Sequence, residues 1–190
     1  MLAYIVLLVA VLSRILPHAF HAVSWNFTAL GGGLLFFGSR MASSRRAAWM
    51  LPTALAVLMA TDYYLTVFAY GYPFQLRTYL VTWIWYAAVC LLGMGLLQKP
   101  TLLRVAAGVL ATSTSFFLIS NFFVWTAGSM SMYPHSLAGL GACYVAGLPF
   151  YRNDLVSTAL TAGAFFGLPV LAARIVDSLR AARSTNLPLA

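Results

Sequence analysis

Long apolar runs, interrupted by short clusters of polar and basic residues, are the dominant pattern along the chain. A helix needs about 20 mostly apolar residues to cross a bilayer. Six runs reach or approach this length, so the pattern predicts six transmembrane helices at residues 2–22, 25–39, 49–70, 78–98, 102–125 and 155–176. The second run is short and rich in glycine, and its ends are the least defined of the six.

A seventh apolar stretch, residues 137–150, is about 14 residues long, which is short for a crossing. We expect it to form a re-entrant or interfacial segment between the fifth and sixth spans, within a lid over residues 133–153. Asp154 would then cap the start of the sixth helix. The predicted fold is an all-α polytopic membrane protein, with one six-helix domain over residues 1–183 and a short tail over residues 184–190.

Composition narrows the class of protein further. Hydrophobic residues make up 62% of the 190-residue chain and charged residues only 7%, whereas soluble domains carry about 25% charged residues. This excludes a soluble enzyme, a nucleic-acid-binding module and a disordered chain. The first apolar run has no basic start and no Ala-x-Ala exit, which favours a retained helix over a cleaved signal peptide.

The basic residues indicate an orientation. With six spans, both termini and two of the loops lie on one side of the membrane, and by the positive-inside rule that side is the cytoplasm. Eight of the 11 basic residues fall there. They are Arg40, Arg45, Arg46, Lys99, Arg104, Arg174, Arg180 and Arg183. A seventh crossing would divide the basic residues six to five.

Two charged residues lie within predicted spans. Asp62 follows Trp49 by 13 residues, which is about 20 Å along a helix, and Arg14 lies at a similar depth counted from Met1. Since a lone charge in a bilayer is costly, we expect Arg14 and Asp62 to meet. A structural ion pair and direct contact with a ligand are both open readings of this pair.

Other polar and aromatic groups fall at the same outer depth. Trp83 and Tyr86 share one face of the fourth span, and Asn121 lies late in the fifth. Together they predict a wet or ligand-filled cavity that opens outward. The alternative is an aromatic belt at the membrane interface with hydrogen bonds between helices.

Motifs for other chemistry are few. His18, His21 and His135 fall at span ends, where they do not face one another as haem ligands would. The sequence has no Glu, no H-E-x-x-H, no G-x-S-x-G and no Walker motif, so neither an enzyme nor ATP-driven transport by this chain alone is favoured. Cys90 and Cys143 are expected at different depths and unbonded. No cofactor or metal is predicted.

Several short stretches carry a resemblance to a known family. They are Arg14-Ile-Leu-Pro-His18, Asn26-Phe-Thr-Ala-Leu-Gly31, Asn121-Phe-Phe-Val-Trp125, Tyr133-Pro-His-Ser-Leu-Ala-Gly139 and Pro149-Phe-Tyr-Arg-Asn153. The chain resembles the DUF6580 family of bacterial membrane proteins, and through it the S components of energy-coupling-factor vitamin transporters. The resemblance implies six helices in the bacterial inner membrane, both ends cytoplasmic, around a vitamin site in the outer half.

One departure concerns the partner. The S components that dock on a shared energising module carry small residues four apart in their first helix, whereas Ala3 and Ala10 are seven apart here. An energising membrane module, another membrane subunit and solitary action all stay open. The small-molecule substrate and the lipid bilayer are the expected partners, and nucleic acid is not.

The resulting hypothesis is a transport protein that binds a small, vitamin-like metabolite in the outer half of the bundle and carries it into the cell. The predicted substrate-binding residues are Arg14, His18, Asn26, Asp62, Tyr63, Trp83, Tyr86, Asn121, Trp125, Tyr133, His135 and Arg152. Two rival hypotheses are a non-transporting structural or assembly subunit and an intramembrane enzyme.

Overall fold

The protein consists of helices and short connections, without strands, in the part that a computed structural model describes, which is residues 1–19, 27–44, 47–127 and 132–185. The third helix continues into one π-helical turn, Leu65–Ala69. The α-helices are α1 (Leu2–Ala19), α2 (Leu30–Met41), α3 (Ala47–Tyr64), α4 (Leu76–Leu96), α5 (Leu102–Ala127) and α6 (Leu137–Thr185).

Four of these helices are long and apolar enough to cross a membrane. They are Ala47–Ala69, which includes the π-helical turn, Leu76–Leu96, Leu102–Ala127 and the apolar part of α6, Leu137–Ser178. In α1 the apolar helical stretch is shorter, Leu2–Leu16. The all-helical class predicted from the sequence is therefore confirmed, and four membrane-spanning helices are supported by length and composition.

The short helix α2 forms the centre of the bundle. Its 12 residues rise only about 18 Å, and those from Gly31 to Ser39 are all buried. It packs most extensively against α4 and α6, and then against α1. A side chain at Gly38 would overlap the carbonyl of Cys90 in α4, and one at Gly93 would overlap the carbonyl of Leu35. Glycine at both positions lets the two backbones touch.

The amino terminus and several basic side chains lie at one end of the bundle. At one end, Met1, Arg40 and Ser43 line a common surface cavity, and Arg40 shares a second with Lys99. Near the far end of α1, the ring of His18 packs edge-on against Tyr70 at 5.3 Å between centroids. The amino terminus and these basic side chains therefore lie together at one end.

Helix α6 corrects the prediction for the end of the chain. Its 49 residues run without a break from Leu137 to Thr185, so residues 137–150 are its first turns and not a separate re-entrant or interfacial segment. Asp154 lies inside the helix, and its predicted role as a cap is wrong.

The polar cluster around Asp154 and two prolines, Pro149 and Pro169, does not end α6. Packing against α5 accounts for this. The Tyr144 hydroxyl donates to the carbonyl of Leu118 at 2.9 Å, and the hydroxyls of Tyr151 and Thr114 are 3.0 Å apart. A proline inside an apolar bundle removes one backbone hydrogen bond, and such neighbouring contacts hold the helix through it.

Candidate functional site

Asp62 of α3 is the centre of a buried polar network. A guanidinium nitrogen of Arg14, Nη2, lies 2.5 Å from its Oδ1. The indole of Trp83 donates to Oδ2 at 2.9 Å, and the hydroxyl of Tyr86 donates to Oδ1 at 3.3 Å. The contact between Arg14 and Asp62 predicted from their depth is therefore present. Three donors from α1 and α4 satisfy a carboxylate whose side chain is only 1% exposed.

The π-helical turn directly follows this carboxylate. Its wider spacing is visible in the bond from the amide of Tyr70 to the carbonyl of Leu65, five residues back, at 2.8 Å. Within the turn, the Thr66 hydroxyl donates to the backbone carbonyl of Asp62 at 2.7 Å and also bonds the hydroxyl of Tyr79. The turn thus ties the end of α3 to α4. Such single π turns are frequent at functional sites.

A cavity of about 190 Å³ adjoins the network at the amino-terminal end of α2. All six α-helices, or the residues leading directly into them, contribute to its wall. The lining residues are Arg14, Thr28, Leu30, Gly31, Asp62, Tyr79, Thr82, Trp85, Tyr86, Phe116 and Asp154. The wall therefore combines two carboxylates, one guanidinium, several hydroxyls and four aromatic rings.

Several buried polar atoms at or beside this wall have no hydrogen-bond partner among the described residues. Two belong to lining residues, Nη1 of Arg14 and Oδ2 of Asp154. Three more are the side-chain hydroxyls of Thr112, Ser113 and Thr158. Buried polar groups are normally paired, and an unpaired group costs about 1–3 kcal/mol. Unpaired atoms around a cavity are what a site for a polar ligand or ordered water provides.

Four predicted site residues meet in this region. Arg14, Asp62 and Tyr86 line the cavity, while Trp83 lies behind Asp62 and bonds its carboxylate. They come together because α1, α3 and α4 place them at one level.

Two predicted residues lie near the ends of their helices, away from the cavity wall. Tyr63 is about half exposed and packs against Phe74, with ring centroids 5.2 Å apart. His18 contacts Tyr70, as described above. One other predicted binding residue, Asn26, lies outside the described residues, as does His21, which is expected from the sequence at a span end.

The remaining predicted residues belong to the pairing of α5 with α6. The Asn121 amide donates to the carbonyl of Phe117 at 2.8 Å, and the thiol of Cys143 approaches its backbone oxygen. Trp125 donates to the carbonyl of Pro134 at 3.0 Å and packs on the ring of His135. Two further predicted residues are Tyr133, in the connection before α6, and Arg152, within α6. Like His135, they do not line the cavity.

Sequence reasoning missed part of the wall. Asp154, like Asp62, is a charged residue within a membrane helix, which is a signal for a functional role. Its polar neighbours in the sequence instead suggested a helix start. Thr82 precedes Trp85 by three residues and Tyr86 by four on α4, and this spacing would have placed the three side chains on one helix face. Phe116 carries no signal of its own, because an apolar ring in an apolar helix can face lipid or the interior.

Clusters of metal-ligating side chains do not occur within the described ranges: no three His, Cys, Asp or Glu residues come together there. Cys90 and Cys143 are both buried free thiols, as the sequence predicted.

Four long apolar helices define the class as an all-helical membrane protein, and its helices border one cavity that contains charged and hydroxyl groups. The chain belongs to the DUF6580 family, a family of unknown function, whose family model matches residues 1–179. No curated protein and no solved structure matches the chain. The family predicted from the short motifs is thereby confirmed.

Proposed function

We propose that the protein is a membrane transport protein that binds a small metabolite in the central cavity and carries it across the membrane. The observation that supports the proposal is the cavity itself, because an apolar bundle packed for support alone has no need of a space that every helix borders and that contains charged residues. A cavity of about 150 Å³ accommodates a molecule the size of benzene. The volume of about 190 Å³ therefore suits a small metabolite.

The wall also favours a ligand with both polar and flat apolar parts. Trp85, Tyr86 and Phe116 offer aromatic surface for stacking, while Thr82 and Tyr79 offer hydroxyls. This mixture is typical of small-molecule sites. It supports the vitamin-like ligand and the relation to S components suggested by the sequence resemblance.

The proposed arrangement is six crossings in the bacterial inner membrane with both termini in the cytoplasm. It is supported by the basic end of the bundle, where Arg40 and Lys99 lie close to one another and Arg40 close to Met1. The energising partner, if the protein uses one, would be a second membrane subunit.

A second candidate is a structural or assembly subunit of a membrane complex. It is favoured by the Asp62 carboxylate, whose partners Arg14, Trp83 and Tyr86 all come from the protein. In this reading the network holds helices together, and the adjoining cavity contains only water.

The test is a metabolite screen on the purified protein by thermal unfolding, followed by uptake of any stabilising compound into cells. Two variants on α4 form a matched pair. Thr82→Phe fills the cavity, whereas Ile84→Phe places the same ring on an exposed position two residues away. We expect a metabolite to stabilise the wild type and Ile84→Phe but not Thr82→Phe, and uptake to follow the same order.

A structural subunit gives a different result. No metabolite would then shift the unfolding of the wild type, and the protein would co-purify with another membrane subunit at fixed stoichiometry. Equal stabilisation of both phenylalanine variants by a metabolite would place its site outside the cavity.

A further inference from the structure

Asp154 brings an uncompensated charge to the cavity. The other two charged residues in the wall, Arg14 and Asp62, neutralise each other as an ion pair. No lysine, arginine or histidine among the described side chains lies within 4.0 Å of the Asp154 carboxylate. The ionised wall therefore carries one net negative charge. An isolated carboxylate inside a membrane bundle is costly, so a positive partner is expected.

The amino terminus of α2 does not supply that partner in full. Leu30 and Gly31 of its first turn line the same cavity, and the positive end of the helix dipole is directed there. Such an end is equivalent to only about half an elementary charge. The cavity stays net negative after this contribution.

Unpaired oxygens surround the carboxylate. Thr158 follows Asp154 by one helical turn on the same face of α6, and Ser113 of α5 lies beside the carboxylate. Both hydroxyls are fully buried. The Ser113 hydroxyl lies near enough to the Asp154 carboxylate to interact with it, while the Thr158 hydroxyl and Oδ2 of Asp154 have no hydrogen-bond partner among the described residues. Hydroxyl and carboxylate oxygens are the donors that hard cations take.

The rest of the wall also suits a positive charge. Trp85, Tyr86 and Phe116 present aromatic rings to the cavity, and the negative faces of such rings attract ammonium groups. Gly31 helps to keep this region open, because a side chain there would overlap the hydroxyl of Thr158.

We propose that Asp154, with the hydroxyls of Ser113 and Thr158, is a binding site for a monovalent cation in the cavity wall. Two sources share this chemistry, an inorganic cation such as Na⁺ and the ammonium group of the transported metabolite. In the second case the inference rests on the proposed function and narrows its substrate to small organic cations. In the first case the ion would bind next to the metabolite and could couple its movement to an ion gradient.

Thermal unfolding of the full-length protein in detergent tests the site with two sets of probes. The inorganic arm compares NaCl with N-methylglucamine chloride at equal ionic strength. The organic arm compares benzylammonium, benzyl alcohol and benzoate, which share a ring and differ in charge. At a probe concentration about ten times its Kd, we expect Na⁺ or benzylammonium to raise the Tm by about 3 °C or more. Benzyl alcohol and benzoate should leave the Tm unchanged.

Two isosteric variants on α6 show whether the Tm shift depends on Asp154. Asp154→Asn removes the charge in the cavity wall, and Asp177→Asn removes an exposed charge on the same helix. We expect the shift to be lost in Asp154→Asn and kept in Asp177→Asn. Loss of the Na⁺ shift in Thr158→Val identifies the inorganic source, while a benzylammonium shift that survives Thr158→Val identifies the organic one. If Asp154→Asn does not fold, competition between Na⁺ and benzylammonium on the wild type replaces it, since one site cannot hold both.

The inference is overturned if neither cation shifts Tm, if the shift persists in Asp154→Asn, or if, in the competition, Na⁺ and benzylammonium stabilise additively. Its failure is separable from failure of the proposed function. A neutral or anionic metabolite whose binding survives Asp154→Asn would leave transport standing and refute the cation site. Na⁺ binding that is lost in Asp154→Asn, with no stabilising metabolite in the screen, would support the cation site and count against transport.

Discussion

The residue on which the site depends most is Asp62, whose carboxylate holds α1, α3 and α4 together. Removing one partner of a buried ion pair costs about 3–5 kcal/mol, because the other charge is left unpaired. Replacing both partners by apolar residues of similar size is often neutral. Single and double replacements of Arg14 and Asp62 therefore test how much of the stability depends on each charge having its partner.

We predict that Asp62→Leu and Arg14→Met each lower the stability by about 3–5 kcal/mol, and that the double variant regains most of this loss. The physical reason is that each single variant strands a charge inside the bundle. Thermal or denaturant unfolding of the four proteins measures the coupling. Losses that simply add in the double variant would contradict the pairing seen between Arg14 and Asp62.

Gly31 carries the second residue-scale prediction. A β-carbon there would overlap the hydroxyl of Thr158, whereas one at Gly163 meets nothing within 4 Å. We expect Gly31→Ala to cost about 1–3 kcal/mol through overpacking, and Gly163→Ala to be neutral. Unfolding measurements check both. Thr158→Ala should restore the stability of Gly31→Ala, and no recovery would mean that the strain lies elsewhere.

How far the sequence predicts these side chains depends on their polarity. Asp62 and Arg14 stand out because a charge in an apolar run needs a partner at the same depth. Asp154 obeys the same rule, but Arg152 and Asn153 beside it make a helix boundary look more reasonable. Phe116 could not be assigned, because the direction of an apolar side chain follows from packing alone.

At the scale of elements, the helix boundaries follow the hydrophobic pattern closely where polar residues interrupt it. The predicted fifth span, residues 102–125, matches α5 (Leu102–Ala127), and the fourth, residues 78–98, matches α4 (Leu76–Leu96) within two residues at each end. The pattern fails for α6, where the polar residues from Arg152 to Asp154 indicated a helix start, because contacts with α5 keep the helix continuous. Such tertiary contacts are not readable from a local pattern.

The contact between α2 and α4 gives the element-scale prediction. Gly93 and Gly95 lie two residues apart on α4, but only Gly93 faces the backbone of α2, at Leu35. We expect Gly93→Ala to destabilise by about 1–3 kcal/mol because α2 must move away. Gly95→Ala, with nothing within 4 Å, should be neutral or stabilising by up to about 1 kcal/mol, since alanine favours helix.

Unfolding temperatures of the two alanine variants decide this comparison. A drop of roughly 3–10 °C is expected for Gly93→Ala and none for Gly95→Ala. Equal behaviour of the two variants would show that α2 and α4 do not approach as closely as their glycines require.

At the scale of the whole molecule, α2 explains why a cavity exists. A helix of 12 residues rises about 18 Å, whereas the hydrocarbon core of a bilayer is about 30 Å thick. The five other helices surround α2, and beyond its amino-terminal end the described residues leave a cavity between them. Thr28, Leu30 and Gly31 form the floor of that space, and Arg14, Asp62 and Asp154 lie around it.

The charge asymmetry of the bundle predicts its orientation. Arg40 and Ser43 lie at the basic end, which the positive-inside rule assigns to the cytoplasm. Tyr72 is exposed in the connection between the π-helical turn and α4, at the opposite end of α3 from Ala47. We predict that single cysteines at these two exposed positions, Ser43→Cys and Tyr72→Cys, react from opposite sides of the membrane.

The measurement is labelling of intact cells with a membrane-impermeant maleimide, in a chain whose native Cys90 and Cys143 are replaced by alanine. Tyr72→Cys should be labelled in intact cells, and Ser43→Cys only after permeabilisation. The reverse labelling result would mean the opposite orientation, with the amino terminus outside the cell. The cavity would then lie nearer the cytoplasmic side. Labelling of both positions in intact cells would show that α3 does not cross the membrane. The orientation bears on the proposed transport, because the cavity lies beyond α2 from the basic end, towards the side where Tyr72 is exposed.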